Sequence, residues 1–340
     1  MRRFPGLTRR AVGLAALGLA APAIVRAQVR ERTIRMPIVN NIDHPQGLGA
    51  KRFAELVEQK SGAKLKVTVF PGGTLGGEQQ VASAMQGGTI QASMMAPAQL
   101  VGNYKEFLVL DFPFAFANER EADQVLDGPL GQRLLDLMPA KGLVGVAFME
   151  QGYRSITNSR RPITRLEDVA GLKIRTILNP LYVDVLNALG ANAVPMPFTE
   201  LYTALETRTV DGQENPYSTV EASRFYEVQK FFSNTRHIYN PQMLLFSKRF
   251  WDGLSEEERT ILREAGKEAR DYQRRVARES DERSKAVLLQ NGMQINDLPA
   301  EEIARMRERV KPVADKYAAQ VGNEIVTLFY AELEKARAAR

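Results

Sequence analysis

The sequence predicts an α/β protein of two lobes with a central cleft and a long helix crossing both. Three features carry this expectation. Strands and helices alternate from Thr33 to Met95, a second alternating series begins near Gly152, and one helical stretch runs from Ser255 to Gln290.

The first series opens with a strand over Thr33–Val39. A helix over Gln46–Lys60 follows, with Leu48, Phe53, Leu56 and Val57 on its core side. From Lys64 to Phe70, Leu65, Val67 and Val69 alternate with Lys64, Lys66 and Thr68, which is strand periodicity. A helix over Glu78–Met85 and an apolar strand over Ile90–Met95 complete a β-α-β-α-β run, the signature of a parallel sheet.

The second series contains a strand at Leu172–Arg175, a helix over Pro180–Leu189 ended by Gly190, and an extended segment at Ala193–Met196. A helix over Thr199–Thr207 leads to a turn and strand at Val210–Gln213. Because this series has apolar positions of its own, it predicts a second lobe. A single large sheet is the alternative. Further on, Ser255 followed by Glu256, Glu257 and Glu258 is a helix start, and Gly292 marks the stop. About 35 helical residues would reach about 50 Å. A break near Gly266 into two helices fits the same residues. Ala300–Arg337 reads as a further helical tail.

The N-terminus stands apart. Arg2, Arg3, Arg9 and Arg10 precede an apolar run from Ala11 to Ile24, which closes on Val25-Arg26-Ala27. That order of charge, apolar run and small-residue site is a secretory signal peptide, residues 1–27. Thr8-Arg9-Arg10 also fits a twin-arginine signal, so both export routes stay open. Loss of the five arginines in this stretch takes the formal charge from +6 to +1. The exported chain therefore has no electrostatic footprint for nucleic acid. It contains no cysteine, which excludes disulfides, a thiol nucleophile and a lipid-anchored cysteine.

Catalytic signatures are missing. There is no G-x-S-x-G, H-E-x-x-H or G-x-x-x-x-G-K-[ST]. Gly72-Gly73-Thr74-Leu75-Gly76-Gly77 reads as a strand-to-helix turn, since Thr74 stands where a dinucleotide fingerprint needs glycine. The two histidines, His44 and His237, lie far apart and suggest no zinc site. No catalytic residue, metal or cofactor is assigned. An exported hydrolase or lyase using paired carboxylates is the competing reading.

Two arginines sit where apolar strands end, and an asparagine sits at a polar strand exit. Arg175 closes Leu172–Arg175, Arg154 follows the apolar strand Val144–Phe148, and Asn215 lies in Asp211-Gly212-Gln213-Glu214-Asn215-Pro216. Ligands of α/β sheets bind beyond such strand ends, and a guanidinium fits a carboxylate with two parallel hydrogen bonds. Met94, Met95, Gln99 and Tyr217 suggest a partly apolar pocket wall, although buried methionine also serves as core.

These segments together resemble the solute receptors of TRAP (tripartite ATP-independent periplasmic) transporters, of the DctP type. The resemblance rests on Gly171-Leu172-Lys173-Ile174-Arg175, on Pro195–Tyr202 with Ala204-Leu205, on Val210–Pro216, and on Phe225–Lys230. Leu75–Glu78 and Tyr153-Arg154 extend it over essentially the whole exported chain. It implies a periplasmic binding protein fold that closes over its ligand. Lobe I would be residues 28–152 plus about 241–280, and lobe II 153–240 plus about 281–340. It further implies that Arg175 pairs with a ligand carboxylate, Arg154 is the second arginine, Asn215 hydrogen-bonds the acid and Phe198 packs on its body. Gln99 and Tyr217 complete the expected site. Ala96 stands where the family's sialic-acid receptors carry glutamate, which argues against that ligand. The expectation is a periplasmic, monomeric receptor handing a small organic acid to TRAP membrane subunits.

Overall fold

The computed structural model describes residues 29–339, so the expected signal peptide lies outside the described residues. The first five elements are β1 (Arg32–Pro37), α1 (Pro45–Lys60), β2 (Leu65–Phe70), α2 (Glu78–Gly87) and β3 (Ala92–Met95). β1 and β2 pair in parallel, with Ile34 opposite Val67. α1 turns Phe53, Leu56 and Val57 inward. His44 caps it, its Nδ1 accepting the Gln46 amide at 3.0 Å, so the remaining ring N–H on Nε2 donates to Thr219 Oγ1 at 3.1 Å. Met94 and Met95 are both fully buried and point into separate cores, so they are packing residues.

Next come α3 (Glu119–Asp127), α4 (Pro129–Leu137) and the long strand β4 (Leu143–Asn158). The second series follows as β5 (Lys173–Thr176), α5 (Pro180–Ala188), β6 (Asn192–Pro195), α6 (Leu201–Glu206), β7 (Gly212–Asn215) and α7 (Tyr217–Ala222). β8 (Phe231–Ser247), α8 (Lys248–Asp252), α9 (Glu256–Gln290), β9 (Gln294–Asp297), α10 (Ala300–Val321) and α11 (Asn323–Ala338) complete the chain.

The wholly parallel sheet expected from the first series is instead mixed. Seven strands run in the order β3-β8-β4-β7-β5-β6, with β9 also on β8. β5 is parallel to β6 and β7, whereas β4 and β8 are antiparallel to one another and to their other long-sheet neighbours β7 and β3. β3 joins the C-terminal end of β8, Met95 opposite Met243, and β9 joins its N-terminal end, Phe231 opposite Gln294. One ladder thus runs through both lobes, and β4 and β8 are the strands that connect them.

α9 is a single helix. Ser255 accepts the Glu258 amide while Glu258 reaches back to the Ser255 amide, a capping box. The single long helix is the one the sequence predicts, and the alternative break at Gly266 is absent because glycine serves packing there: a Cβ would lie 2.8 Å from Val146 and 3.1 Å from Leu244. Leu262 enters the core with Ile34, Phe53 and Trp251, and Leu288 enters the core with Leu201, Val220 and Phe232. The helix is therefore tied to both lobes by apolar contacts worth about 1.5–3 kcal/mol per buried leucine. The C-terminal tail is two helices, divided at Gly322, and α11 returns to pack on α3 and α4.

Candidate ligand-binding site

Arg154 and Arg175 are the two largest fully buried side chains among the described residues. Burying an ion costs several kcal/mol unless it is paired, so each needs a physical account. Arg154 does not follow a strand, as the sequence suggested, but lies inside β4, opposite Ile238. Its Nε and Nη2 meet the Glu214 carboxylate of neighbouring β7, Nη2 also reaches the Glu214 carbonyl at 2.6 Å, and Nη1 donates to Asn240 at 3.1 Å. Burial works against both charges. Their mutual attraction wins, holding Arg154 above its ordinary value and Glu214 down to about 2. His237 (Nε2 3.5 Å from Glu214) and Thr176 (2.8 Å) complete the surroundings of that carboxylate. Arg154 is a neutralised cation.

Arg175 is different. It lies in the C-terminal half of β5, where Nε and Nη2 both donate to the Met196 carbonyl, at 3.0 and 2.7 Å. Nη1 is buried and has no partner. Burial lowers its pKa to about 10, which leaves it protonated at neutral pH. The Phe198 ring centroid is 5.8 Å from its Cζ, within cation–π range.

Both arginines line one small cavity between the lobes, of about 20 Å³, with Glu78, Gln99, Phe198 and Asn215 around it. Gln99 Oε1 is the second buried polar atom there without a partner. Asn215 is held by Gln151, which donates to its Oδ1 at 3.3 Å, and by its own bond to Gln213 two residues back on the same strand face. Glu78, at the start of α2, accepts the Ala96 amide at 3.2 Å, and burial raises its pKa against the pull of both arginines. A neighbouring chamber of about 180 Å³ shares Glu78, Gln99 and Phe198 with it and is bounded further by Gln80, Thr199 and Glu200.

The structure therefore brings together five of the six residues named from the sequence: Arg154, Arg175, Asn215, Phe198 and Gln99. Tyr217 is placed elsewhere. Its ring stacks on Phe232 at 4.1 Å, its hydroxyl donates to Asn234, and it borders a separate cavity with Phe114 and Arg236. The residue after a strand exit points by the local turn, and Pro216 turns Tyr217 away as the first residue of α7. Glu78, Asn40, Gln151 and Asn240 also line the cavity but were not named. Only Glu78 had a signal, as the last residue of Leu75-Gly76-Gly77-Glu78.

A second polar chain backs the site. Asp111 accepts from Tyr182 at 3.0 Å and Asn179 at 3.2 Å, and Asn240 bridges Tyr182 to Arg154. Burial pushes Asp111 up to about 7. Among the described residues no group of three or more His, Cys, Asp or Glu is placed to hold a metal ion, and no helix is long and apolar enough to cross a membrane.

Residues 38–320 match the family described as bacterial extracellular solute-binding protein, family 7 (DctP). The chain belongs to that family. A solved DctP-type neighbour, the sugar acid binding protein from Advenella mimigardefordensis in complex with galactonate, is 40% identical, with a TM-score of 0.89 over 91% of this chain and 99% of its own. A TRAP periplasmic solute-binding protein from Ochrobactrum anthropi, solved with its C-terminus bound in the ligand-binding pocket, is 48% identical, with a TM-score of 0.82 over 92% of this chain and 98% of its own. Among characterised relatives, the 2,3-diketo-L-gulonate-binding periplasmic protein YiaO of Escherichia coli K12 is 38% identical over 266 residues, 78% of this chain and 80% of its own. The two-lobe periplasmic binding protein fold expected from the sequence is the fold of these TRAP solute-binding proteins.

Proposed function

We propose that this DctP-family protein is a periplasmic receptor that captures a small organic carboxylate between its lobes and delivers it to TRAP membrane subunits. One observation carries the reading: Arg175 is a fully buried guanidinium with a free Nη1 in the interlobe cavity. A carboxylate there supplies the missing acceptor and the missing negative charge together. Asn215 and Gln99 position the acid, Phe198 packs on its body, and Arg154, already neutralised, holds Glu214, Asn240 and the β4–β7 contact in place. Charge-assisted hydrogen bonds contribute about 1.5–3 kcal/mol each. Micromolar affinity needs about 8 kcal/mol in all, so a few such bonds with ring packing suffice.

The architecture supports a reading of capture by closure. Residues 28–152 with about 241–280, and 153–240 with about 281–340, move as two lobes about β4 and β8, while α9 spans them and α11 ties back to α3 and α4. The chain is a monomeric receptor, not a hydrolase or lyase, and reaches the periplasm through the signal in residues 1–27 by the Sec or the twin-arginine route. Prolonged incubation returns the acid unchanged under this reading; turnover would support the enzyme.

The direct test is calorimetry with organic acids and their amides, on native protein and Arg175→Lys. An acid binds, its amide does not, and the lysine variant, which keeps the charge but not the planar fork, loses at least tenfold in affinity. Equal affinity in native and variant protein would remove Arg175 from its role.

A further inference from the structure

The glycine-rich run between β2 and α2 does more than turn the chain. It contains Gly72, Gly73, Gly76 and Gly77, and the first two lie in the left-handed region, at φ +70 and +68. The turn is pinned to the exit of β1. The Gly72 amide donates to the Asn40 carbonyl at 2.9 Å, and the Gly73 amide to the Ile38 carbonyl at 3.0 Å. It cannot retreat without breaking those bonds.

Backbone conformation accounts for Gly72, but Gly73 answers a second demand, for space. A Cβ on Gly73 would lie 2.6 Å from the methyl of Thr199, in the second series of strands and helices, whereas a Cβ on Gly72 would meet only Asn41 Oδ1, at 3.4 Å. Gly77 faces the same segment, its Cβ position 4.0 Å from both Pro197 and the Thr199 hydroxyl. A threonine carries two heavy atoms on Cβ, so only one of its three staggered wells would clear the space beside Gly73. Thr199 and Gly77 also line the chamber next to the arginine cavity, together with Phe198. The contact therefore crosses from lobe to lobe beside the candidate site.

We propose that the Gly72–Gly77 turn is the closing lip of lobe I and that Gly73 is the socket for the Thr199 methyl, so that its missing side chain sets how far the lobes close. This rests on the reading of capture by closure and deepens it. Gly73 is a positioning residue, acting on a bound acid through Thr199 and its neighbour Phe198. A side chain there stops the lobes short and lets the acid escape.

The chain has no cysteine, so an introduced pair reports on the contact alone. Protein carrying Gly73→Cys with Thr199→Cys is unfolded and refolded to free it of ligand, then oxidised, and the remaining thiols are counted by mass after alkylation. It closes a disulfide about tenfold faster than Gly72→Cys with Thr199→Cys, whose first position points away from Thr199. Equal rates overturn the inference and leave the carboxylate reading standing. The second arm is calorimetry with succinate, pyruvate, gluconate and benzoate. For any of these that native protein binds, Gly73→Ala weakens affinity about tenfold, while Gly72→Ala, with the same backbone strain, costs less than about threefold. Relative to Thr199→Ser alone, adding Gly73→Ala also costs less than about threefold, because the opposing methyl is gone. A Gly73→Ala loss that persists in the serine background, or no loss at all, refutes the socket. If none of the four binds native protein, the carboxylate reading fails for those acids and the disulfide rates alone decide the lip.

Discussion

Two arginines that look alike in sequence do different work, and the difference lies in one neighbour each. Arg154 faces Glu214; Arg175 faces a backbone carbonyl and leaves its buried Nη1 unpaired. Replacing Glu214 by glutamine leaves the Arg154 charge buried and uncompensated. The expected loss is about 3–5 kcal/mol in chemical denaturation, typical of breaking one side of a buried pair. An effect below 1 kcal/mol would mean that Asn240 and water suffice. Asp111 provides a pH test. Its folded pKa of about 7 lies above the unfolded carboxyl value of about 3.9, so the folded state holds the proton more tightly between those limits. Its contribution to stability is complete below about pH 4 and is lost as pH rises through 7. Asp111→Asn removes that slope, so the melting temperature of the variant relative to native protein rises from pH 5 to pH 8. A flat difference would show that Asp111 titrates normally. Glu214 and His44, both shifted down, act with the opposite sign: their contributions are lost on acidification. Arg175 was legible in the sequence because a charged side chain at an apolar strand end is out of place, and Asn215 because the Asp211–Pro216 run carries the family resemblance. Glu214 was not singled out, because a glutamate in a polar run looks the same whether it faces water or a guanidinium.

At the scale of elements, most short strands and helices were legible to within a few residues, and the two longest strands were not. β4 was read as ending near Phe148, with a lobe boundary at Gly152. Gly152, at φ +115, instead marks a register irregularity inside a continuous strand. Pro241 in β8 lies opposite Glu150 beside the same irregularity, where a missing N–H is tolerated. Glycine and proline in a strand signal either an end or a bulge, and only the pairing partner, about ninety residues away, decides. The same ambiguity surrounded Gly266, where packing against Val146 and Leu244 keeps α9 whole. This gives a sign test. In an exposed helix, alanine for glycine stabilises by about 1 kcal/mol. Gly266→Ala should instead lower stability by about 1–2 kcal/mol in urea denaturation, because the added methyl overpacks the β4–β8 surface. A gain would show that Val146 gives way and that helix propensity decides.

At the scale of the whole molecule, the lobes meet through polar contacts of two kinds, besides the packing of α11 on α3 and α4. Near the base, His44 donates to Thr219, and Gln151 reaches the same hydroxyl at 3.4 Å, all buried. At the exposed edge, Asn41 Nδ2 donates to the Ala222 carbonyl at 3.0 Å. An open cleft must break the edge contact first, since water can replace that bond at little cost, whereas the base bonds have no solvent to replace them. Asn41 is therefore placed to latch the closed form without touching the cavity. Asn41→Ala removes a bond worth about 0.5–1.5 kcal/mol net, which corresponds to roughly two- to tenfold in affinity. The loss should appear in the dissociation rate, measured by stopped-flow displacement of a bound acid, with the association rate nearly unchanged. Specificity between acids should not move, because Arg175, Gln99 and Glu78 are untouched. If dissociation is unaltered while small-angle scattering still shows the protein contracting on ligand addition, closure is held by the ligand and the buried base alone, and the edge contact forms only as a consequence of it.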